Sequence, residues 1–520
     1  MKYSIAFSAA LLLATIAPQP ARAQSSAREI VNQAVAAQGG ADALRGLQAL
    51  AIKADAMHWE PGQSKEAGGE PRFLGNTALA ITWDLAKGSA RTEWDRDLKY
   101  PAVEKLIFTE VVTPALGYVI DDKGASRPMS GIRVAAALRE LERAAPTLLL
   151  KMMDEPKNVR PLANDKLGKQ TLLALGFASG GTNFTVLIDP QSKLPAAIRT
   201  RDDDNIAGDS NYDLVLSDWK PVGGARIAHG LSYQVNGVEV AKVTYREVAA
   251  NPAIAADAFA VPDAVKTAAK PPATGYVPHQ WIIRRHFLAR LLDSDGIILA
   301  PGGSLKLVEL APNVQHVQGG QANNLIVAMK DHLIVFDAPY GELQSRWVID
   351  AAKAKYPGKP IKYLVLTHHH MDHTGGLRTY VAEGATVVVP SPTKAYFEKA
   401  VRAAHTVAPD ALTKKPRAAQ IVEVAELTVL KDDSEEVRLH NIPNPHSQGM
   451  LIGHVVKPNI VFVTDLLSPR APINRTPGTL AVGEALKKAG IAGSTIAGGH
   501  GTTARQAEIL EALGMEVSSR

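Results

Sequence analysis

The segment 367–376, which reads THHHMDHTGG, concentrates side chains that can bind metal ions. His368, His370, Asp372 and His373 lie within six residues, directly after an apolar run. Imidazole nitrogens and carboxylate oxygens are the usual ligands of zinc and related divalent ions. In an extended segment, side chains at i and i+2 point the same way, so His368 and His370 can face one ion. Asp372 and His373 then remain free to face a second ion.

Three further candidate ligands follow in chain order, each close to a strand-like segment. His446 lies in NPHSQG, Asp465 ends the apolar run IVFVT, and His500 lies in GGHGT. Asp337 similarly ends the strand-like run HLIVF, where a carboxylate could either support a ligand or simply terminate a strand in a turn.

The set H-x-H-x-D-H, then His, Asp and Gly-His-Gly, resembles the metallo-β-lactamase fold superfamily, in its binuclear hydrolase branch, over about residues 305–510. The resemblance implies the following ligands: His368, His370 and His446 for the first metal, Asp372, His373 and His500 for the second, and Asp465 as the bridge between them. Asp337 looks like the aspartate that many members place behind the ligands.

A two-metal site of this kind predicts hydrolysis. The ions share a bridging water whose pKa falls from 15.7 towards about 7, which yields a hydroxide that attacks a carbonyl. They also polarise the oxygen that becomes charged in the transition state. We expect Asp372 to be catalytic, because it can bind a metal and also orient the hydroxide. The predicted substrate is a small molecule with an ester, lactone, thioester or amide carbonyl.

The residue types also help to rank the alternative functions. The chain has no cysteine, which excludes β-lactamases with a thiolate ligand, and Asp465 is a carboxylate that cysteine-free β-lactamases usually lack. A β-lactamase nevertheless stays the first alternative. The second is a binding or carrier protein with a vestigial metal domain, and the third is an iron-dependent sulfur dioxygenase. Five histidines and two aspartates without sulfur predict two divalent ions, with Zn²⁺ favoured over Mn²⁺ or Fe²⁺.

The N-terminal residues predict export. Residues 1–23 combine a basic start at Lys2, an apolar core and the small-x-small end Ala21-Arg22-Ala23, which is typical of a signal peptide cleaved after Ala23. We therefore expect a periplasmic location without membrane insertion. A formal net charge of +5 over 520 residues predicts no nucleic-acid partner, and nothing in the sequence indicates an oligomeric state.

The length predicts a second domain, because 520 residues are too many for one domain of this superfamily. Residues 24–262 alternate strand patterns with turns, apart from helical stretches at 25–48, which Gly39-Gly40 should break, and at 134–153. Their strands resemble the curved antiparallel sheet of periplasmic lipoprotein carriers. Residues 263–303 are predicted to form a linker and helical connection. Residues 304–520 are predicted to form an α/β catalytic domain, for which the superfamily resemblance implies an αββα sandwich.

Two smaller expectations concern residues outside the ligand set. His369 lies between two candidate ligands and should point away from the first metal. The N-terminal domain contains no cluster of candidate ligands and no nucleophile–base set, so we expect it to provide substrate capture, interdomain contact or dimerisation, and no chemistry.

Overall fold

The computed structural model describes residues 26–269, 305–320, 322–470 and 472–515. The predicted signal peptide 1–23 lies outside the described residues, as does the part of the predicted connection from residue 270 to residue 303.

Fourteen antiparallel strands form a single sheet in the N-terminal part of the chain. They follow the order β6-β5-β4-β3-β2-β1-β14-β13-β12-β11-β10-β9-β7, with β8 paired to β9. Their bounds are β1 Ala49–Glu60, β2 Arg72–Asp84, β3 Ser89–Leu98, β4 Glu104–Val112, β5 Gly117–Asp121, β6 Ser126–Pro128, β7 Val159–Pro161, β8 Asp165–Leu167, β9 Gln170–Ser179, β10 Thr182–Ile188, β11 Pro195–Asp204, β12 Gly208–Val222, β13 Ala225–Val235 and β14 Val238–Ala250.

Short helices pack on this sheet and complete its apolar core. Their bounds are α1 Ala27–Ala37, α2 Ala41–Arg45, α3 Gly131–Ala144, α4 Leu148–Asp154 and α5 Asp263–Lys266, with 3-10 turns at Pro61–Gln63 and Pro156–Asn158. The predicted helix 25–48 is interrupted where Gly39 and Gly40 adopt positive φ angles of 116° and 92°. The predicted helix 134–153 is interrupted at Ala145, which is extended because Pro146 follows it. The β-rich N-terminal domain is thus confirmed.

Two further sheets form the C-terminal part. One has the order β15-β16-β17-β18-β19-β20-β21 and the other has the order β22-β23-β24-β25-β26-β27. Their bounds are β15 Lys306–Ala311, β16 Val314–Gln318, β17 Asn324–Ala328, β18 Leu333–Phe336, β19 Ile361–Val365, β20 Thr386–Pro390, β21 Ile421–Val424, β22 Leu427–Lys431, β23 Glu436–Asn441, β24 Leu451–Val455, β25 Ile460–Val463, β26 Thr495–Gly498 and β27 Thr503–Arg505. The helices are α6 Glu342–Lys355, α7 Met371–Thr374, α8 Leu377–Glu383, α9 Lys394–Arg402, α10 Ala411–Lys414, α11 Pro477–Lys488 and α12 Gln506–Leu513.

The alternation of side chains along the strands divides the C-terminal core into layers. In β18, Ile334 and Phe336 join the core between the two sheets, whereas Leu333 and Val335 join the core beneath α6, α8 and α9. In β25, Phe462 faces the opposite sheet and its neighbour Val461 packs under α11 and α12. Both faces of both sheets are therefore buried, which explains their nearly continuous apolar strands. The predicted αββα sandwich is confirmed.

An ion pair secures the helix that follows the ligand segment. Arg378 in α8 binds Asp410, the N-cap of α10, through Nε at 2.5 Å and Nη2 at 3.1 Å, and both side chains are nearly buried. Burial disfavours the Asp410 carboxylate, but hydrogen bonds from Arg378 and the Thr413 amide outweigh it and lower the pKa of Asp410 to about 2.

Replacing this arginine should therefore destabilise the protein in a pH-dependent way. Because the pKa of Asp410 is lower in the folded than in the unfolded protein, the pair stabilises above pH 4 or so and loses its effect as the pH falls towards about 2. We expect Arg378→Met to cost about 3 kcal/mol at neutral pH, since it leaves a partly buried carboxylate without its partner. Thermal unfolding at neutral pH and near pH 3 measures this, and an equal loss at both values would contradict it.

Among the described residues, no helix is long and apolar enough to cross a membrane.

Candidate metal centre

The strand ends of the two C-terminal sheets bring the candidate ligands to one edge. β18 and β19 are parallel, so Asp337 and the segment after Val365 emerge side by side. β25 and β26 are also parallel, and this places Asp465 near His500. β24 runs antiparallel to β25, so His446, just before β24, reaches the same edge. The two sheets meet there through the Leu451 amide, which donates to the Thr367 carbonyl at 2.8 Å.

The first cluster joins His368, His370, His446 and Asp465. Asp465 Oδ2 lies 3.2 Å from His368 Nε2, 3.9 Å from His370 Nδ1 and 2.9 Å from His446 Nε2. The predicted extended geometry does not apply, because the chain bends after β19 and enters the short helix α7. His368 and His370 nevertheless face the same point, as expected.

The second cluster joins Asp372, His373, His500 and the same Asp465. Asp465 Oδ1 lies 3.0 Å from His373 Nε2 and 2.8 Å from His500 Nε2. Asp372 Oδ2 lies 3.7 Å from His373 Nε2 and 3.8 Å from His500 Nε2. The structure thus brings together all seven residues that were predicted as ligands, in the two predicted groups.

Asp465 occupies the position of a bridge, because each of its two oxygens faces a different cluster. Its backbone has a φ of 45°, a left-handed conformation that aspartate and asparagine tolerate better than most residues. The turn after β25 therefore aims the carboxylate between the two groups of imidazoles. Its side chain is only 8% exposed, so the protein shields this negative charge from solvent.

The charges of the two clusters differ. Burial holds the pKa of His368 well below its usual value, and burial also lowers the pKa of His370. Burial disfavours the His373 imidazolium too, but the nearby carboxylates, with Asp465 foremost, raise its pKa well above the usual value. The pKa of His500 is raised for the same reason. In the first cluster, His368 and His370 are thus held as neutral imidazoles, whereas His373 and His500 in the second cluster hold protons that an entering cation would displace.

Residues 317–516 match the family model of the metallo-beta-lactamase superfamily. They form a metallo-beta-lactamase superfamily domain. This domain and its two clusters assign the chain to the metal-dependent hydrolases and indicate that it binds divalent metal.

The chain is similar to several solved structures over part of its length. A metallo-beta-lactamase from Pontibacter korlensis is 17% identical, covers 41% of this chain and 98% of its own, and has a TM-score of 0.32. A metallo beta lactamase from Hirschia baltica is 18% identical, with 40% and 95% covered and a TM-score of 0.32. An archaeal metallo-beta-lactamase superfamily protein from Sulfolobus tokodaii is 16% identical, with 37% and 79% covered and a TM-score of 0.27. No curated protein sequence matches the chain significantly.

Asp337 supports the metallo-beta-lactamase domain's second cluster from behind. Its Oδ2 accepts from His373 Nδ1 at 2.8 Å, while its Oδ1 accepts from the Thr367 amide at 2.8 Å. A carboxylate only accepts, so Nδ1 carries a proton, and Nε2, which faces the cluster, offers its lone pair to an ion once its own proton is displaced. Burial raises the pKa of Asp337, an effect that His373 partly offsets. The placement predicted for Asp337 therefore agrees with a role in orienting a ligand.

A backbone carbonyl of the N-terminal domain orients His370. The Ser64 carbonyl oxygen accepts from His370 Nε2 at 2.9 Å, so the proton lies on Nε2 and the Nδ1 lone pair faces the first cluster. The same oxygen lies 2.9 Å from His369 Nε2. His369 is fully buried and lies in neither cluster.

The 3-10 turn Pro61–Gln63 and its flanks also reach the metallo-beta-lactamase domain. Gln63 contacts Asp372, Arg72 contacts the His446 carbonyl, and the Gln448 amide donates to the Lys65 carbonyl. Sequence reasoning placed no N-terminal residue at the site and expected no chemistry from this domain. A Pro-Gly-Gln turn between two strands carries no recognisable signal, because its partners lie about three hundred residues away.

Proposed function

We propose that this protein is a binuclear metal-dependent hydrolase that cleaves an ester, lactone, thioester or amide bond of a small molecule. The observation that carries the proposal is the division of the Asp465 carboxylate between two clusters of imidazoles. A carboxylate in that position can hold two cations close together, as two-metal hydrolases require.

The residues suit cations on three counts. Buried His368 Nε2 has no hydrogen-bond partner among the described residues, although it is aimed at Asp465. His370 Nδ1 and His446 Nε2 lie only 2.9 Å apart, and His373 Nε2 and His500 Nε2 lie 3.2 Å apart. Two imidazole lone pairs repel each other at such distances unless a proton or a cation lies between them. The donor set contains nitrogen and oxygen only, which favours zinc, with Mn²⁺ or Fe²⁺ as alternatives.

When bound, two divalent ions would make a water nucleophilic at neutral pH and polarise the carbonyl oxygen under attack. The chain's own groups then do the positioning. Asp465 and the imidazoles hold the centre, Asp337 and the Ser64 carbonyl fix the tautomers of His373 and His370, and Asp372 keeps Oδ2 available to orient the water. His500 and Asp372 are the most exposed of the seven candidate ligands, with side chains 26% and 17% accessible, so the substrate approaches from their side.

The complete second cluster supports two ions, which disfavours the single-metal sulfur dioxygenase. Two intact clusters equally disfavour a carrier with a vestigial metal domain. A β-lactamase remains an outcome of the substrate test, since loops outside the ligand set determine specificity in this fold.

The proposal is tested by metal analysis combined with a substrate panel. The protein is stripped with a chelator, reconstituted with Zn²⁺, and assayed on ester, lactone, thioester, amide, β-lactam and phosphodiester substrates. We expect about two equivalents of metal per chain, and hydrolysis that disappears on stripping and returns with zinc. A single equivalent under metal-replete conditions, or hydrolysis that persists without metal, would contradict the binuclear mechanism.

We also propose export of the chain with cleavage after Ala23, on the basis of the pattern of residues 1–23. Mass spectrometry of protein from the periplasmic fraction should give a mature N-terminus at Gln24. Accumulation of the uncleaved chain in the cytoplasm would contradict this.

A further inference from the structure

Gln63, in the turn between β1 and β2, makes a direct hydrogen bond to a candidate ligand of the second cluster. Its Nε2 donates to Asp372 Oδ1 at 2.6 Å, and the residue is 3% exposed. The other oxygen, Asp372 Oδ2, faces His373 and His500. The amide therefore occupies one oxygen of the carboxylate and leaves the other directed into the cluster.

The orientation of the Gln63 amide is determined by its second partner. Its Oε1 lies 2.6 Å from the hydroxyl oxygen of Tyr100, which follows β3. A carboxylate oxygen accepts, so the amide nitrogen faces Asp372, and the Tyr100 hydroxyl then donates to the amide oxygen. The chain Tyr100–Gln63–Asp372 is thus a directed pair of hydrogen bonds in which the amide cannot flip without losing both.

Arg72 attaches this arrangement to the metallo-beta-lactamase domain. Its Nε donates to the Gln63 carbonyl at 2.6 Å, and its Nη2 donates to the His446 carbonyl at 2.8 Å. Its guanidinium also lies over the Tyr100 ring, 4.6 Å from the ring centre. One side chain of the N-terminal domain therefore joins the turn that carries Gln63 to the loop that carries His446.

We propose that Gln63 is a positioning residue for Asp372, oriented by Tyr100 and Arg72, through which the N-terminal domain sets the affinity of the second metal ion. This inference rests on the proposed function in requiring an ion at the second cluster. Partners that orient metal ligands typically change metal affinity by about 10- to 100-fold when removed. Without the amide, the Asp372 carboxylate can rotate away from His373 and His500.

The test replaces Gln63 by methionine, which keeps the length of the side chain and removes the donor. Zn²⁺ affinities at both clusters are measured on the full-length protein by competition with a chromophoric chelator. We expect the second dissociation constant to rise about 10- to 100-fold and the first to stay within about three-fold. Tyr100→Phe should shift the second constant in the same direction by a smaller factor, since the amide keeps its contact with Asp372 but loses its anchor.

Gln38→Met is the matched control. Gln38 is also a buried glutamine of the N-terminal domain, and its Nε2 donates to the Pro146 carbonyl far from the clusters. The Gln38→Met substitution should leave the zinc affinities of both clusters unchanged. Hydrolysis by Gln63→Met should fall at limiting zinc and recover towards the parent kcat as zinc is raised, whereas a general loss of folded protein would not recover.

Three results would overturn the inference: unchanged affinity for the second ion in Gln63→Met, equal weakening at both clusters together with a lower Tm, or a parent protein that binds only one ion. The last of these results would contradict the binuclear mechanism as well, whereas a failure of the proposed hydrolysis alone looks different. There, the parent protein binds two ions and cleaves no substrate of the panel, while the zinc titrations still decide the role of Gln63.

Discussion

Asp465→Asn should bind one divalent ion in place of two and lose about 10³-fold of its kcat/KM, which corresponds to about 4 kcal/mol of transition-state stabilisation. Asparagine keeps the shape of the side chain and tolerates the left-handed φ of 45° at this position, so the backbone should not change. It removes the negative charge and leaves a single oxygen, which cannot serve both clusters at once. The imidazoles on either side then lose the group that offsets two adjacent cations.

The measurements for Asp465→Asn are zinc content after dialysis and steady-state kinetics on a substrate that the parent cleaves. Asp433→Asn provides the control, because the Asp433 side chain is exposed and binds only Lys330 at the far end of the domain. The control should retain both ions and full activity. Two tightly bound ions in Asp465→Asn would mean that this carboxylate does not bridge them.

Asp337→Asn should lower hydrolysis by roughly 10²- to 10³-fold through the tautomer of His373. The Thr367 amide needs an acceptor, so the asparagine oxygen must occupy the place of Oδ1 and its amide nitrogen must face His373 Nδ1. His373 can accept that hydrogen bond only with its proton on Nε2. The nitrogen that faces Asp465 then has no lone pair for an ion.

Asp331→Asn is the matched control, because it also replaces a carboxylate by an amide beside a histidine, but that histidine lies outside both clusters. Asp331 Oδ1 lies 2.6 Å from His332 Nδ1 before the opposite end of β18, where these two side chains and Asp432 form a separate group that could hold a metal ion. This variant should therefore keep the parent's zinc affinities at the first and second clusters and its kinetics. For Asp337→Asn, a zinc titration should show weakening at the second cluster, and NMR of ring-labelled histidine should show the exchanged tautomer of His373. An unchanged tautomer with full activity would contradict the orientation assigned to Asp337.

The sequence was sufficient to predict the ligand set because each ligand follows or precedes a buried strand. His368, Asp465 and His500 come just after apolar runs, and parallel strands bring such ends to one edge of a sheet. The order of strands and helices predicted an α/β domain, whereas the two stacked sheets were implied by the family resemblance. The grouping into two clusters came from the family resemblance, and the division of the Asp465 oxygens agrees with it.

The contribution of Gln63, Ser64 and Arg72 could not be predicted from the sequence. Their effect depends on how a turn of one domain meets a loop of another, and neither periodicity nor spacing encodes that contact. The Ser64 contribution is made by a backbone carbonyl, which is chemically the same in every residue. Interruptions of helices were partly foreseeable: the Gly39-Gly40 break was predicted, whereas Pro146 divides a stretch that was predicted to be continuous.

The hydrogen bond from His370 to the Ser64 carbonyl couples metal binding at the first cluster to the contact between the two domains. If docking favours the His370 tautomer that leaves Nδ1 free, then an ion on Nδ1 must favour docking by the same factor, because such coupling is reciprocal. Binding of any molecule that moves the β1–β2 turn should accordingly change the metal affinity. On the proposed function, the β1–β2 turn and an ion at the first cluster are therefore coupled through the tautomer of His370.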